Sequence, residues 1–338
     1  MTRIASSREA FTNGLLDLAA GDERVVLVAA DSVKALRATP FEERFPQRLF
    51  DVGIAEQNAV AVAAGMATCG LIPYVATYAG FITMRACEQM RTFVAYPHLN
   101  VKMVGLNGGI YCGEREGVTH QFFEDLGIVR SIPGISIVVP ADASQVRHAT
   151  RAIAAVEGPV YMRIGSGREP VVFDDSVPFE FGRTRVLFQE GHDMAIFTNG
   201  FVVSRVLAAA ERLHAAGIHI TVVEVPTLKP LDRDAIVAVL EKTRGAVTVE
   251  DHNVIGGLGS AIAETITDHF PVPLVRVGLQ DVFPESGEAE ALLDCYGMDV
   301  PSIVEAVHHA IARKERLSTG DGDADRPVQR SQGGQVRT

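Results

Sequence analysis

The sequence predicts an α/β protein: a doubly wound, mostly parallel sheet followed by a second, smaller α/β domain. Three observations lead there. Short apolar, β-rich runs alternate with helical stretches along almost the whole chain, the order that builds parallel sheets covered by helices. The runs are near continuous rather than alternating, as befits strands buried on both faces. The pattern breaks at 169–178, where acidic and proline residues intervene, and then restarts. With 338 residues, 47% of them apolar, the chain is long enough for two cores at roughly 150 residues per domain.

In chain order, the first block reads as a strand at 25–29, a helix at 55–69, a strand at 72–76 and a helix at 82–95. Strands at 101–105 and 135–139, a helix at 143–156 and a strand at 160–163 complete it. The second block shows strands at 194–198, 219–224 and 246–249 and helices at 201–216, 233–241 and 260–270. This gives domains at 1–175 and 185–316. From 317 to 338 the composition turns to Gly, Asp, Gln and Arg without periodicity. Such a tail has too little apolar area to offset its ordering entropy and is expected to be disordered.

Composition narrows the function classes. A formal net charge of −11 argues against nucleic acid or an anionic membrane as main partner, since both call for clustered positive charge. The four cysteines, Cys69, Cys87, Cys112 and Cys295, have neither metal-like nor redox-like spacing; they read as buried thiols of a reducing, cytoplasmic compartment. The N-terminal stretch lacks the apolar core of a signal peptide. From Gln57 to Met84 run 28 positions without a charge, which by length alone could span a bilayer. Gly65, Gly70 and Pro73 punctuate it, however, and an Ala-rich helix, a glycine stop and a strand explain it better.

Common cofactor fingerprints fail. A dinucleotide motif starting at Gly257 would need glycine at 262, where Ile262 stands. There is no Gly-Lys-Ser/Thr phosphate loop and no His-Glu-x-x-His zinc site. Gly320-Asp321-Gly322 sits in the tail with no downstream Asn.

Four segments remain, each near the C-terminal end of a strand or the start of a helix, where open α/β sheets bind ligands. Glu56 opens the uncharged helix; it reads either as a partly buried functional acid or as a first-turn acid complementing the helix dipole. Tyr78 and Phe81, with Arg85 beyond, read as a ligand wall or as core packing. Asn107-Gly108-Gly109 and the following 113–121 loop carry Glu116 and His120 after a buried strand; an imidazole there suits hydrogen bonding and proton transfer as well as a plain surface position. Arg163 at a strand end, before a Gly-Ser-Gly turn, suits an anionic group or a structural salt bridge.

Together, their order and spacing resemble the transketolase family of thiamine-diphosphate enzymes, over about residues 2–313. GIAEQNAVAVAAGMA looks like the helix with the cofactor-activating glutamate, and TYAGF like the aromatic cofactor wall. EGVTHQFFEDLGIVR resembles the substrate loop, PVYMRIGSG the arginine strand, and VEDHNVIGGLGSAIAE part of the C-terminal domain. The resemblance implies that Glu56 hydrogen-bonds a pyrimidine ring nitrogen of thiamine diphosphate, that Tyr78 and Phe81 pack on that ring, and that Asp31 lies near the thiazolium end. It makes His120 a catalytic residue that binds donor hydroxyls and relays protons. Arg8 and Arg163 would hold a sugar phosphate, and Asn107 and Glu116 would contact the substrate.

Two departures bear on substrate choice. Glu116-Gly117-Val118-Thr119-His120 replaces the family's usual Asp-Gly-Pro-Thr-His, and Asn107 stands near the place of a phosphate-contacting histidine. The larger departure is the lack of the Gly-Asp-Gly…Asn domain that binds diphosphate and Mg²⁺. The chain therefore resembles the C-terminal half of a split transketolase, needing an N-terminal partner subunit that carries the metal, in an expected heterotetramer. The beta subunit of a 2-oxo-acid dehydrogenase component and a 1-deoxyxylulose-5-phosphate synthase-like enzyme are related alternatives. A non-catalytic regulatory α/β subunit is the alternative from outside enzymology.

Overall fold

The computed structural model describes residues 3–111 and 116–319; Cys112, the loop positions 113–115 and the tail from 320 lie outside the described residues. Two sheets organise the chain. The first has seven strands in the spatial order Thr227–Lys229, Ser136–Val138, Val160–Arg163, Lys102–Leu106, Ile72–Tyr78, Val25–Ala29 and Leu49–Asp51. All neighbours run parallel except the Thr227–Lys229 strand, which pairs antiparallel with Ser136–Val138. The second has five strands in the order Leu274–Leu279, Ala246–Asn253, Met194–Thr198, Ile220–Glu224 and Arg185–Gln189, the last antiparallel. The doubly wound reading of the sequence is therefore correct.

The strands the sequence shows best are those buried along their whole length: Val25–Ala29, Lys102–Leu106, Val160–Arg163, Met194–Thr198 and Ile220–Glu224. With helices on both sides, every position is an inside position. The long uncharged run resolves into the Glu56–Thr68 helix, which buries Ala59, Val60, Ala63 and Ala64, a turn at Gly70, and the Ile72–Tyr78 strand. Among the described residues no helix is long and apolar enough to cross a membrane.

Several expectations need correction. The helix expected at 82–95 is not a uniform α-helix: π-helical turns at Phe81–Arg85 and Met90–Ala95 flank a short α segment, Cys87–Gln89. Such wide turns shift the side-chain register and recur at functional sites. The Val300–Thr319 helix runs through 317–319, the first positions of the expected tail, and buries Ile303, Ala306, Val307 and Ala310 on the second sheet; the rest of that tail lies outside the described residues. The cysteines are not uniformly buried: Cys69 and Cys295 are exposed and Cys87 is partly so, all three as free thiols.

The Ser7–Gly21 helix, unmarked in the sequence reading, is set by its N-terminus. Ser6 Oγ accepts from Glu9 N at 3.2 Å, and the buried Glu169 accepts from Ser7 N at 3.0 Å. A carboxylate there satisfies an orphan N–H and faces the positive end of the helix. This anchorage places Arg8, in the first turn, beside the strand ends of the first sheet.

Candidate functional site

The C-terminal ends of the first sheet converge on one region. Glu56 begins its helix four residues beyond Val52, whose N–H donates to Ala29 O. It is only 5% exposed. Its Oε1 accepts a 2.9 Å hydrogen bond from Arg85 Nη1, an ion pair whose arginine is half-exposed. Oε2 enters no hydrogen bond among the described residues. Gln57 Nε2 donates to Arg85 O at 3.1 Å, so the helix start also fixes the backbone that carries its partner.

Beside this pair stands an aromatic cluster. The Tyr78 and Phe81 rings lie 5.4 Å apart, and the His120 ring meets each edge-on at 5.2 Å. Phe122 closes the group 5.3 Å from Phe81. The Arg85 guanidinium lies 3.8 Å from the centre of the Phe81 ring, a cation–π contact. Gly80 is what allows the packing: a Cβ there would lie 2.0 Å from the Phe122 ring. The π-helical turn follows at once, and with it Arg85 is brought back over Phe81. His120 Nδ1 sits 3.0 Å from Thr119 Oγ1, which orients the ring.

A polar chain forms the adjoining wall. Arg8 donates to Asn107 Oδ1 at 2.5 Å, and Asn107 Nδ2 donates to Glu116 Oε2 at 3.0 Å. Arg8 also donates to Gly165 O and Ala35 O, so its planar fork is held by three different segments. Tyr78 belongs to the same wall. Burial, then the nearby Glu116 charge, pushes its phenol above the usual range, with Arg8 pulling the other way.

Asp31 follows the Val25–Ala29 strand with φ +52°, exposed, and its N–H donates to Asp51 Oδ1 at 2.9 Å. The same oxygen accepts from Gly53 N at 3.0 Å. Asp51 thus shapes the turn between the two acids of the site, a residue the sequence reading passed over although Asp-x-Gly is a turn signal.

Arg163 forms the structural salt bridge that the sequence left open as one of its two readings. It is 4% exposed, 3.2 Å from Asp125 Oδ1, and donates to Phe122 O and Asp251 O. Tyr161 donates to the other oxygen of Asp125 at 2.7 Å. Covered by the second sheet, Arg163 pairs with a buried carboxylate and holds backbone. The structure thus brings together Glu56, Tyr78, Phe81 and His120, with Arg8, Asn107 and Glu116 alongside, and sets Arg163 behind them. It adds Arg85, which no sequence signal ties to Glu56. Among the described residues no group of acids, histidines and cysteines is clustered to hold a metal ion.

Comparison with known proteins bears on the fold and the family. The family model for the transketolase pyrimidine binding domain matches residues 4–167, and that for the transketolase C-terminal domain matches 182–303. The chain is 42% identical over 308 residues to the 6-deoxy-6-sulfo-D-fructose transketolase subunit SqwH of Clostridium sp. (strain MSTE9), covering 91% of this chain and 95% of that protein. It is 36% identical over 319 residues to 1-deoxy-D-xylulose-5-phosphate synthase of Desulforudis audaxviator (strain MP104C), covering 92% of this chain and 49% of that one. Among solved structures it is similar to one described as a split gene transketolase, inactive beta4 tetramer, with TM-score 0.83, 40% identity, and 91% and 99% of the two chains covered.

Proposed function

Because the chain belongs to the transketolase family, we propose that it is one subunit of a thiamine-diphosphate transketolase that moves a two-carbon glycolaldehyde unit from a ketose, or ketose phosphate, to an aldose acceptor. The observation that carries this reading is the meeting of the buried Glu56 with the Tyr78, Phe81 and His120 rings at the strand ends.

The residues fit the cofactor's pyrimidine: a carboxylate with Oε2 outside its ion pair stands beside a wall of flat apolar rings. When bound, thiamine diphosphate supplies a thiazolium carbanion able to add to a ketose carbonyl. Glu56 holds a hydrogen bond to a pyrimidine ring nitrogen, and Tyr78 and Phe81 position the ring. Asp31 would face the thiazolium end. His120 hydrogen-bonds the donor hydroxyls and moves protons at them. Arg8, Asn107 and Glu116 form the sugar-facing wall, and the longer Glu116 side chain sets which hydroxyl it meets.

Diphosphate and a divalent metal such as Mg²⁺ are assigned to a partner chain carrying Gly-Asp-Gly…Asn, in a heterotetramer with two copies of each. Supporting this, the helix Glu56–Thr68 and its neighbours expose the large apolar side chains Ile54, Met84, Phe93 and Tyr96, of the kind that interfaces cover. Two of the similar proteins are described as a transketolase subunit and a split gene transketolase. In this reading residues 1–175 form the pyrimidine-binding domain and 185–316 the C-terminal domain. Exposed free thiols at Cys69 and Cys295 favour a reducing, cytoplasmic setting.

The test is reconstitution. The chain mixed with a partner carrying Gly-Asp-Gly…Asn should bind thiamine diphosphate and turn over a ketose, and Glu56→Ala should abolish turnover. Full activity of Glu56→Ala, or turnover by this chain alone, would overturn the reading.

A further inference from the structure

The loop from Asn107 to Phe122 carries Glu116 and His120, and one segment of the second sheet grips both its stems. On the first stem, Asp251 Oδ1 accepts from Ile110 N at 2.8 Å and Oδ2 from Tyr111 N at 3.1 Å. On the second stem, Arg163 donates to Phe122 O at 2.9 Å and to Asp251 O at 2.8 Å, so one guanidinium ties that stem to the same residue. Asn253 N donates to Phe123 O at 2.9 Å, and Gly109 N closes the stems on each other through Phe122 O at 2.7 Å.

The neighbours are arranged to hold this grip. His252 accepts from Gly127 N at Nε2 and donates from Nδ1 to Asn253 O, which requires the neutral ring. Burial holds it neutral, with its pKa down at about 4. Asp251 is itself 4% exposed; burial pushes its carboxyl up, opposed by Arg163 and by the two N–H donors. The loop is cut to match. A Cβ on Gly109, whose φ is +89°, would lie 2.0 Å from Asp251 Oδ2, and one on Gly108 would lie 2.0 Å from Arg163 Nε. The glycine pair lets the stem settle onto the carboxylate and the guanidinium.

We infer that Asp251, on the second sheet, is a positioning residue for the reaction: it sets the loop that holds His120 against Tyr78 and Phe81. The inference rests on the reading of His120 as a donor-binding residue, and it gives the second domain a part in the site.

The experiment compares Asp251→Asn and Gly109→Ala, which break the grip from opposite sides, with Arg205→Ala. Arg205 pairs with Glu290 and Asp294 at the surface of the same domain and makes no hydrogen bond to the loop among the described residues. Hydrogen exchange is read on the full chain, and kinetics on the reconstituted pair. Exchange across 106–123 should rise in the first two variants and stay at the wild-type level in the third. For the first two, kcat should fall by about tenfold and the donor KM should rise, with thiamine diphosphate affinity unchanged, as expected when a reacting group is displaced by an ångström or so. Folded Asp251→Asn and Gly109→Ala proteins with wild-type exchange in 106–123 would overturn the inference. So would an equal rise there in Arg205→Ala. Loosening of the loop in a protein whose wild type turns over no ketose would support the grip and overturn the transketolase reading instead.

Discussion

Arg85 holds Glu56: its Nη1 lies 2.9 Å from Glu56 Oε1 while its guanidinium lies 3.8 Å from the centre of the Phe81 ring. One side chain therefore touches both the acid and the ring expected to meet the pyrimidine. The pair fixes which carboxylate oxygen is left for a ligand. Arg85→Met keeps an apolar stem over Phe81 but removes the charge and the hydrogen bond. It should lower stability by about 1 kcal/mol or less, as for other half-exposed ion pairs, measured by urea unfolding. Thiamine diphosphate binding to the reconstituted pair should weaken by about tenfold, or roughly 1.4 kcal/mol, measured by fluorescence titration. Unchanged affinity would mean that Glu56 is oriented without Arg85.

Gly80→Ala should damage the aromatic wall directly. Its Cβ would stand 2.0 Å from the Phe122 ring, so ring or backbone must move, at a cost of about 1–3 kcal/mol. Gly65→Ala is the matched control, since a Cβ there has nothing within 4 Å and lies within the Glu56–Thr68 helix. It should stabilise by roughly 0.5–1 kcal/mol. Urea midpoints moving in opposite directions would support the packing described; a neutral Gly80→Ala would contradict it.

Glu224 gives a pH-dependent prediction. Its Oε1 accepts from Gln145 Nε2 at 2.7 Å, Oε2 is buried without a hydrogen bond, and burial pushes its carboxyl up to about 7. The folded state therefore binds the proton more tightly than the unfolded chain, so this group's contribution is present at low pH and is lost as pH rises through about 7. Glu224→Gln keeps the Gln145 bond without the charge. It should come close to wild type near pH 4, below the unfolded pKa, and exceed it at pH 8 by on the order of 3 kcal/mol at most, read from urea unfolding at the two pH values. An equal difference at both would assign the effect to packing.

Tyr96 tests the partner surface. It is 88% exposed, so Tyr96→Glu should leave the isolated chain within about 0.5 kcal/mol of wild type. If this face meets the partner, a charge there should weaken association by tenfold or more, roughly 1.4 kcal/mol, measured by sedimentation or titration of the two chains. Unaltered association would move the interface elsewhere.

The parts legible in the sequence share a physical cause. Val25–Ala29 and Met194–Thr198 were readable because strands buried on both faces leave an unbroken apolar run. The Leu49–Asp51 strand, partly to fully exposed at the sheet edge, leaves no such run. The Ser7–Gly21 helix was missed although Ser6 and Glu9 mark its start, because its interior carries Asn13, Gly14 and Asp17 among the apolar positions. In the site, Glu56, Tyr78, Phe81 and His120 were legible as segments at strand ends. The burial of Arg163 was not legible, because a strand end shows which residue stands there, not whether another sheet covers it. Asp251 and Ile110 are 141 positions apart, a pairing that only the fold creates.

The Thr227–Lys229 strand leaves the second half of the chain to complete the edge of the first sheet, antiparallel to Ser136–Val138. That exchange determines where a gene for this fold can be divided. A cut between the two halves would leave the Ser136–Val138 edge bare, a row of unpaired amides and carbonyls that invites aggregation, and would strand Lys229 away from the Arg130 and Ile132 carbonyls it caps. The two sheets are thereby tied into one unit, and a cut that spares both must fall outside this strand pair.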